Sequence, residues 1–170
     1  MEKLKNVGTI NLNRSKGIYV SDPCYSIDTM GLTSLVEKFV QGTYNCFVEQ
    51  LDDTDFGIRV KKMVICHTDF DVTILPNESK EYQRVSVDSG TMSIGSYAYY
   101  EKFHDSADDE TNDKWYEKNV CALDRYKVAD KRLFICSSGF GDGIYYIDLY
   151  RDNKKKVYAV GITFIGEDNE

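Results

Sequence analysis

Three short motifs carry the residues of this chain whose types and spacing are suited to chemistry. They are Asp22-Pro23-Cys24-Tyr25, Asp88-Ser89-Gly90 and Gly139-Phe140-Gly141-Asp142-Gly143. Carboxylates on loops can hold Mg²⁺ or polarise a ligand, and glycine-rich loops can bring backbone amides to a phosphate. The candidate ligand-binding residues are therefore Asp22, Asp88, Gly141, Asp142 and Gly143.

Asp88 is the candidate catalytic residue, because an apolar residue followed by Asp-Ser-Gly resembles the active-site turn of aspartic proteases. In those enzymes two carboxylates share a proton and activate water, so a single copy requires a homodimer. Ile165-Gly166 resembles a later turn of that fold, but no glycine-rich flap lies between the two motifs. A hairpin in which Asp88 accepts backbone N–H groups and Gly90 supplies a positive φ also accounts for the motif. A hydrolase using Asp88 is one alternative function.

The 139–143 tract suggests a second alternative, a small-ligand binding module such as a nucleotide sponge, with Asp22 at its mouth. Backbone amides of the tract would cradle the phosphate. The tract lacks the lysine of a phosphate-binding P-loop, and a β-rich run rather than a helix follows it. A plain strand–turn–strand connection is therefore favoured. Whether Asp22, Asp88 and Asp142 meet in space decides between ligand binding and separate turns.

Other arrangements of reactive side chains are incomplete. Cys24 with His67 or His104 is a conceivable nucleophile–base pair, but the chain holds only two histidines. No Cys-x-x-Cys pair is present, which argues against zinc. A calcium-binding loop starting at Asp108 would need glutamate at its twelfth position, where Asn119 stands. The sequence therefore predicts no metal and no cofactor.

Residues 101–117 form the most charged part of the chain. They hold seven acidic side chains against Lys102 and Lys114, a net charge of −5 (2 − 7) in a chain of net charge −7. Such a surface favours a basic protein partner and argues against direct binding to a nucleic-acid backbone. The candidate partner-binding residues are Asp105, Asp108, Asp109, Glu110, Asp113 and Trp115.

Length and composition indicate a single domain spanning residues 1–170. The five cysteines are odd in number and widely spaced, and several lie in apolar runs, which predicts small buried thiols rather than a disulfide framework. The first residues lack the apolar stretch of a signal peptide, and no 18-residue apolar run predicts a membrane span. A cytoplasmic location is expected.

The elements that must position these motifs are mostly strands. Apolar periodicity predicts helices over 33–40 and 112–121. Alternating and β-branched runs predict strands over 7–13, 17–20, 44–50, 58–67, 71–75, 84–88, 91–94, 132–137, 143–150 and 156–165. The expected fold class is α+β, with a mostly antiparallel sheet, sandwich- or half-barrel-like, and two short peripheral helices.

The three motifs in this order resemble an uncharacterised bacterial and phage domain family. That family is similar in having a strand that runs into Asp22-Pro23, a mid-chain Val87-Asp88-Ser89-Gly90, and a later signature at Ser138-Gly139-Phe140-Gly141-Asp142-Gly143-Ile144-Tyr145. The resemblance extends over nearly the whole chain and departs from the pattern at 101–117. It supports the fold and implies no activity.

The leading functional hypothesis is a non-enzymatic acidic binding or inhibitory protein, encoded by a phage and directed at a basic host protein that handles nucleic acid or serves in defence. This would be an anti-CRISPR-like role. It rests on the acidic 101–117 segment, the incomplete catalytic sets and the resemblance. The ligand-binding module and the Asp88 hydrolase remain alternatives, and a homodimer is compatible with each.

Overall fold

The computed structural model describes residues 4–27, 29, 31–76, 82–104 and 108–166, which form two sheets. Sheet A contains, in spatial order, β1 (Lys5–Asn11), β4 (Thr43–Asp53), β5 (Gly57–His67), β11 (Val157–Thr163), β10 (Gly143–Arg151) and β6 (Tyr82–Val87). Sheet B contains β3 (Ser34–Val36), β2 (Ile18–Ser21), β7 (Thr91–Ser96), β9 (Leu133–Ser137) and β8 (Tyr126–Ala129). Neighbouring strands run antiparallel in both sheets. The predicted mostly antiparallel architecture is confirmed.

One apolar core is built from both sheets, because alternate residues of each strand point to the same face. Tyr44 and Val48 of β4 meet Ile94 of β7 and Phe134 of β9 in this core. The predicted buried thiols include Cys136, which is fully buried, and burial raises the pKa of this group. The shared core is what holds one sheet against the other.

The predicted helix over 33–40 is wrong. Ser34–Val36 forms β3, in which Ser34 and Val36 are buried and Leu35 is exposed. Val36 pairs with Ile18 of β2, and Phe39 forms a bridge with Val157. An isolated helix of eight residues is marginal, so its apolar spacing did not outweigh these strand contacts.

Two further local predictions needed correction. The strict alternation predicted for 58–67 fails because of a β-bulge: Glu49 of β4 pairs with Lys62 and the next residue, Gln50, pairs with Val60, so Lys61 is the extra residue in β5. This bulge puts Val60 and Met63 together in the core, since one extra residue reverses the side-chain facing. The predicted strand over 71–75 is a 3-10 turn, Val72–Ile74, capped by the carboxylate of Asp71.

Two short helices lie against the outer face of sheet B. They are α1 (Tyr97–His104) and α2 (Asp109–Tyr116), and a π-helical turn, Glu117–Cys121, continues α2. Tyr100 of α1 and Trp115 of α2 pack on Tyr19 and Ile135 of the sheet. Two peripheral helices are thus present, but the first follows β7 rather than β2. Over the ranges that the structure describes, no helix has both the length and the apolar character needed to cross a membrane.

The outermost strands of sheet A approach those of sheet B on both sides. The amide of Asn11 in β1 donates to the carbonyl of Lys131, beside β8, over 2.8 Å. The amide of Ser86 in β6 donates to the carbonyl of Leu32, just before β3, over 3.0 Å. These bonds use backbone groups that an open sheet edge would leave unpaired.

Gly95 and Gly161 form a matched pair for testing how closely the strands pack. A Cβ added at Gly95 would lie 2.3 Å from the carbonyl oxygen of Arg132, whereas one added at Gly161 meets nothing closer than 3.7 Å. We expect Gly95→Ala to lower the free energy of unfolding by about 2–3 kcal/mol, because backbone atoms must move to admit the methyl group. Gly161→Ala should change it by less than about 1 kcal/mol. Urea denaturation of both variants measures the difference, and equal midpoints would refute the close approach of Gly95 to Arg132.

Candidate functional site

The three Asp/Gly motifs lie on connections that meet in space. The first follows β2, the second joins β6 to β7, and the third joins β9 to β10. The second and third connections each carry the chain from one sheet to the other. The hairpin predicted at Asp88 is therefore wrong, because β6 and β7 are not paired strands of one sheet. The three motifs that hold Asp22, Asp88 and Asp142 do meet in space, a question that the sequence alone left open.

The carboxylate of Asp22 holds this convergence together. Asp22 is fully buried. Its Oδ2 accepts hydrogen bonds from the amides of Asp88 and Ser89, both over 2.7 Å. Its Oδ1 accepts from the amide of Cys24 over 2.8 Å and from Oγ of Ser89 over 2.6 Å. Four donors thus replace the water that a buried carboxylate loses, and both oxygens are used inside the protein.

The third motif joins the network through Asp142 and its neighbours. The amide of Gly90, which has a φ of 69°, donates to Oδ1 of Asp142 over 3.0 Å. The carbonyl of Gly90 in turn accepts from the amide of Ser138 over 3.0 Å. Two inter-sheet connections are therefore bonded to each other as well as to Asp22.

The 139–143 tract is closed on itself rather than open to a phosphate. The amide of Gly141 donates to the carbonyl of Ser138 over 2.9 Å. The phenol of Tyr145 donates to the carbonyls of Gly141, over 2.7 Å, and Ser138, over 3.1 Å. The Gly141 amide that a phosphate cradle would use is already bonded, so the tract acts as a turn.

Asp88 itself is exposed, and Oδ2 of its carboxylate accepts a hydrogen bond from the phenol of Tyr25 over 2.6 Å. Burial, together with this bond to Asp88, raises the pKa of Tyr25 to about 12, so the phenol stays protonated and donates. A carboxylate held by a phenol differs from the proton-sharing carboxylate pair of an aspartic protease.

Cys24 is exposed at the edge of the same network, but its thiol is poorly nucleophilic. Partial desolvation, the hydrogen bond to Asp22 and the charges of Asp22 and Asp88 raise the pKa of its thiol to about 12. His67 lies elsewhere, with its Nε2 3.1 Å from the carbonyl oxygen of Gln41. The Cys24–His67 pair is therefore not formed, and the side chain of His104 lies outside what the structure describes.

The acidic candidates divide into structural and solvent-facing residues. Asp108 caps α2, where its carboxylate accepts from the amide and hydroxyl of Thr111, both over 2.9 Å, and these bonds lower the pKa of Asp108. Asp109, Glu110 and Asp113 are exposed on α2. Asp105 lies outside the described residues.

Trp115, which sequence reasoning placed at a partner surface, is only 6% exposed. Its Nε1 donates to the phenol of Tyr99 over 2.9 Å, and its ring stacks on that of Phe103 with centroids 5.6 Å apart. Trp115 therefore anchors α2 to α1 and to the sheet and is covered from any partner.

No metal centre emerges from these loops. Over the described part of the chain, no three His, Cys, Asp or Glu side chains are placed to hold a metal ion. Asp22, Asp88 and Asp142 meet through amide and hydroxyl donors. Their convergence therefore forms a structural hydrogen-bond network between the connections of the two sheets.

A separate cleft was missed by the sequence reasoning. It has a volume of about 380 Å³ and is lined by Phe56, Ile58, Arg59, Asp124, Arg125 and Ser137. These residues come from the β4–β5 turn and the start of β5, the segment before β8 and the end of β9. Their wide separation in sequence leaves no motif, so only the clustering of charged and aromatic residues in space reveals the cleft.

No family model, curated protein or solved structure matches this chain. The resemblance to a bacterial and phage domain family therefore stays a prediction.

The hydrogen-bond network of Asp22 can be tested by comparing how much the Asp22 and Asp88 carboxylates each contribute to stability. We expect Asp22→Asn to lower the free energy of unfolding by about 3 kcal/mol, because an amide nitrogen would replace an oxygen that faces two donors in the interior. Asp88→Asn, at an exposed carboxylate with one phenol partner, should cost much less. Thermal and urea unfolding measure both variants. Equal losses would show that Asp22 is not the centre of the network.

The raised pKa of Cys24 predicts slow alkylation of this thiol. With a pKa of about 12 instead of 9.0, the reactive thiolate is roughly 1,000-fold scarcer at pH 8. The iodoacetamide rate at Cys24, followed by peptide mass spectrometry, should rise steadily with pH and increase in Asp88→Asn. The same peptide in the urea-unfolded chain provides the reference rate. A native rate at pH 8 as fast as the unfolded one would contradict the prediction.

Proposed function

We propose that this chain is a non-enzymatic binding protein that presents the acidic face of α2 to a basic surface on another protein. The observation that carries the proposal is the row Asp109, Asp113 and Glu117, spaced four residues apart and exposed. Residues at this spacing lie on one side of a helix, so their charges add into a single patch. Asp124, with a side chain 86% exposed, adds a further carboxylate after the π-helical turn.

Burial on the other side of the same segment supports the proposal, because it fixes the patch in place. Trp115, Asn119 and Val120 are buried, and the amide nitrogen of the Asn119 side chain donates to the carbonyl of Trp115 over 3.0 Å. The phenol of Tyr99, which receives the Trp115 bond, donates to Asp130 over 2.6 Å. The helical segment that carries the carboxylates is therefore already ordered in the free protein, which reduces the entropy cost of binding a partner.

Charge points to the class of partner. The whole chain carries −7, so its field attracts basic proteins over distances limited by salt screening. Basic surfaces that bind nucleic acid use Lys and Arg to neutralise phosphates, and a row of carboxylates offers them a competing set of anions. We extend the proposal to inhibition of a nucleic-acid-handling or defence protein in a bacterial cytoplasm, with the two sheets serving as a sandwich- or half-barrel-like scaffold.

The Asp88 hydrolase receives less support from the geometry. Its carboxylate accepts from the phenol of Tyr25, and the neighbouring Asp22 carboxylate is occupied by four internal donors. Neither arrangement activates a water molecule between two carboxylates.

The proposal predicts that binding depends on where the negative charge lies and not only on how much there is. We expect the triple variant Asp109→Lys, Asp113→Lys and Glu117→Lys to abolish capture of basic proteins from a bacterial lysate. The matched control, Glu37→Lys, Asp52→Lys and Asp55→Lys, changes net charge equally at exposed sites on loops and strand ends. Quantitative mass spectrometry of captured proteins compares the two with the wild type.

Captured partners should also be released by salt and displaced by nucleic acid, since the contacts are electrostatic. Equal retention by the α2 variant and the control, or partners with acidic surfaces only, would contradict the proposed function. Circular dichroism of each variant confirms that α2 and the sheets remain folded.

A further inference from the structure

The cleft beside the β4–β5 turn carries positive charge on an otherwise acidic protein. Two arginines, Arg59 and Arg125, line it together with a single carboxylate, Asp124. The side chain of Asp124 is 86% exposed, whereas that of Arg125 is 35% exposed, and their closest approach is 3.4 Å. A pair this open contributes little, so the Arg125 guanidinium keeps donors for another anion.

Arg59 has a donor that the protein does not satisfy. Its Nε is buried and has no hydrogen-bond partner. Its guanidinium carbon lies 5.8 Å from the ring centroid of Phe56, a cation–π contact that offers no acceptor oxygen to the N–H groups. Buried donors of charged groups are nearly always paired in folded proteins. The guanidinium of Arg59, which lines the cleft, therefore has at least one donor that the described residues do not satisfy.

An aromatic platform adjoins these cations. Phe56 is 61% exposed and Phe140 is 50% exposed, with ring centroids 5.8 Å apart in an edge-to-face arrangement. Ile58, beside Phe56, is 47% exposed. Large apolar side chains exposed together at one place mark binding surfaces more often than single ones do. A flat ring can stack on Phe56 while a charged group on the same molecule reaches the arginines.

From this arrangement we propose that the cleft binds a small aromatic anion of the mononucleotide class. The base would stack on the Phe56–Phe140 platform, and the phosphate would accept hydrogen bonds from Arg59, Arg125 and the hydroxyl of Ser137. The volume of about 380 Å³ leaves room for one ring system and one anionic group. Ligand pockets start at about 300 Å³, so the cleft suits a small molecule better than an extended peptide.

This inference goes beyond the acidic docking face, because the cleft depends on Arg59, Arg125 and Phe56, whereas the docking face depends on Asp109, Asp113 and Glu117; Asp124 lies at the border of the two. It also gives the 139–143 tract a part in ligand binding that its amides do not supply. Phe140 extends from that turn to the ring of Phe56. The turn thus contributes an aromatic side chain to the site instead of a phosphate cradle.

The test is a titration of the full chain with adenosine monophosphate, adenosine and inorganic phosphate, each up to millimolar concentration. Nuclear magnetic resonance of arginine Nε–H groups reports directly on Arg59 and Arg125. We expect the monophosphate to shift both signals in a saturable way, with affinity that falls as salt rises. Adenosine and phosphate, which each lack one half of the ligand, should bind at least tenfold more weakly, in keeping with the loss of roughly 1.4 kcal/mol or more.

Variants then assign the binding to the cleft. Arg59→Gln and Arg125→Gln should each weaken monophosphate binding by roughly 10- to 100-fold, the range for losing a charge-assisted hydrogen bond. Phe56→Leu should weaken monophosphate binding while leaving phosphate binding unchanged. Arg84→Gln removes the same charge from an exposed position on β6, outside the cleft, and should bind like the wild type. Unfolding curves confirm that each variant remains folded.

The proposal is overturned if the folded wild type shows no saturable shift of either arginine at millimolar monophosphate. It is equally overturned if adenosine or inorganic phosphate binds as tightly as the monophosphate, or if Arg84→Gln weakens binding as much as Arg59→Gln. Tighter binding of an acidic aromatic peptide, in competition with the monophosphate, would replace the small-molecule site with a peptide site.

Discussion

The hydrogen bonds that the buried carboxylate of Asp22 accepts are the interaction on which the connections between the two sheets depend. Its two oxygens collect donors from its own loop and from the β6–β7 crossing. That crossing is in turn bonded to the β9–β10 crossing through Gly90, Ser138 and Asp142. A negative charge in the interior is costly unless each lone pair is used, so the carboxylate imposes the geometry of the loops around it. The three motifs whose sequences suggest chemistry are therefore the ones whose polar groups are most engaged in internal hydrogen bonds.

Local pattern predicted much of the fold and long-range pairing decided the rest. The strands of the β4–β5 and β10–β11 hairpins were predicted from their alternating and β-branched runs, and the structure pairs them as neighbours along the chain. Residues 33–40 were misassigned because their spacing fits either a helix or a strand, and the pairing of Val36 with Ile18 settles it. The segment Tyr126–Ala129 was not anticipated as a strand, because it is only 4 residues long, although Tyr126 and Val128 pack against the core between the sheets and Ala129 faces the helices.

The candidate sites show the same division. Sequence identified the three Asp/Gly motifs, and even the question of whether they meet, but not that a single carboxylate would tie them together. The exposure of Asp109 and Asp113 followed from their charge, whereas the burial of Trp115 did not follow from its acidic neighbours. The arginine cleft left no trace in the sequence. The molecule carries two surfaces of opposite sign, the acidic face of α2 and the arginine cleft, and its negative net charge reflects only the first.

The span of the Asp22 network also sets an order of events during folding. Asp22 bonds to residues 66 and 67 positions further along the chain, and the amide of Asn11 in β1 pairs with the carbonyl of Lys131. Contacts between distant positions must close long loops before they contribute stability, and proteins rich in them fold slowly. During synthesis, the carboxylate of Asp22 stays hydrated until the β6–β7 crossing has left the ribosome. The Asp22 network thus closes later than local contacts such as the β4–β5 hairpin, and until it closes the loops between the two sheets are not fixed to one another.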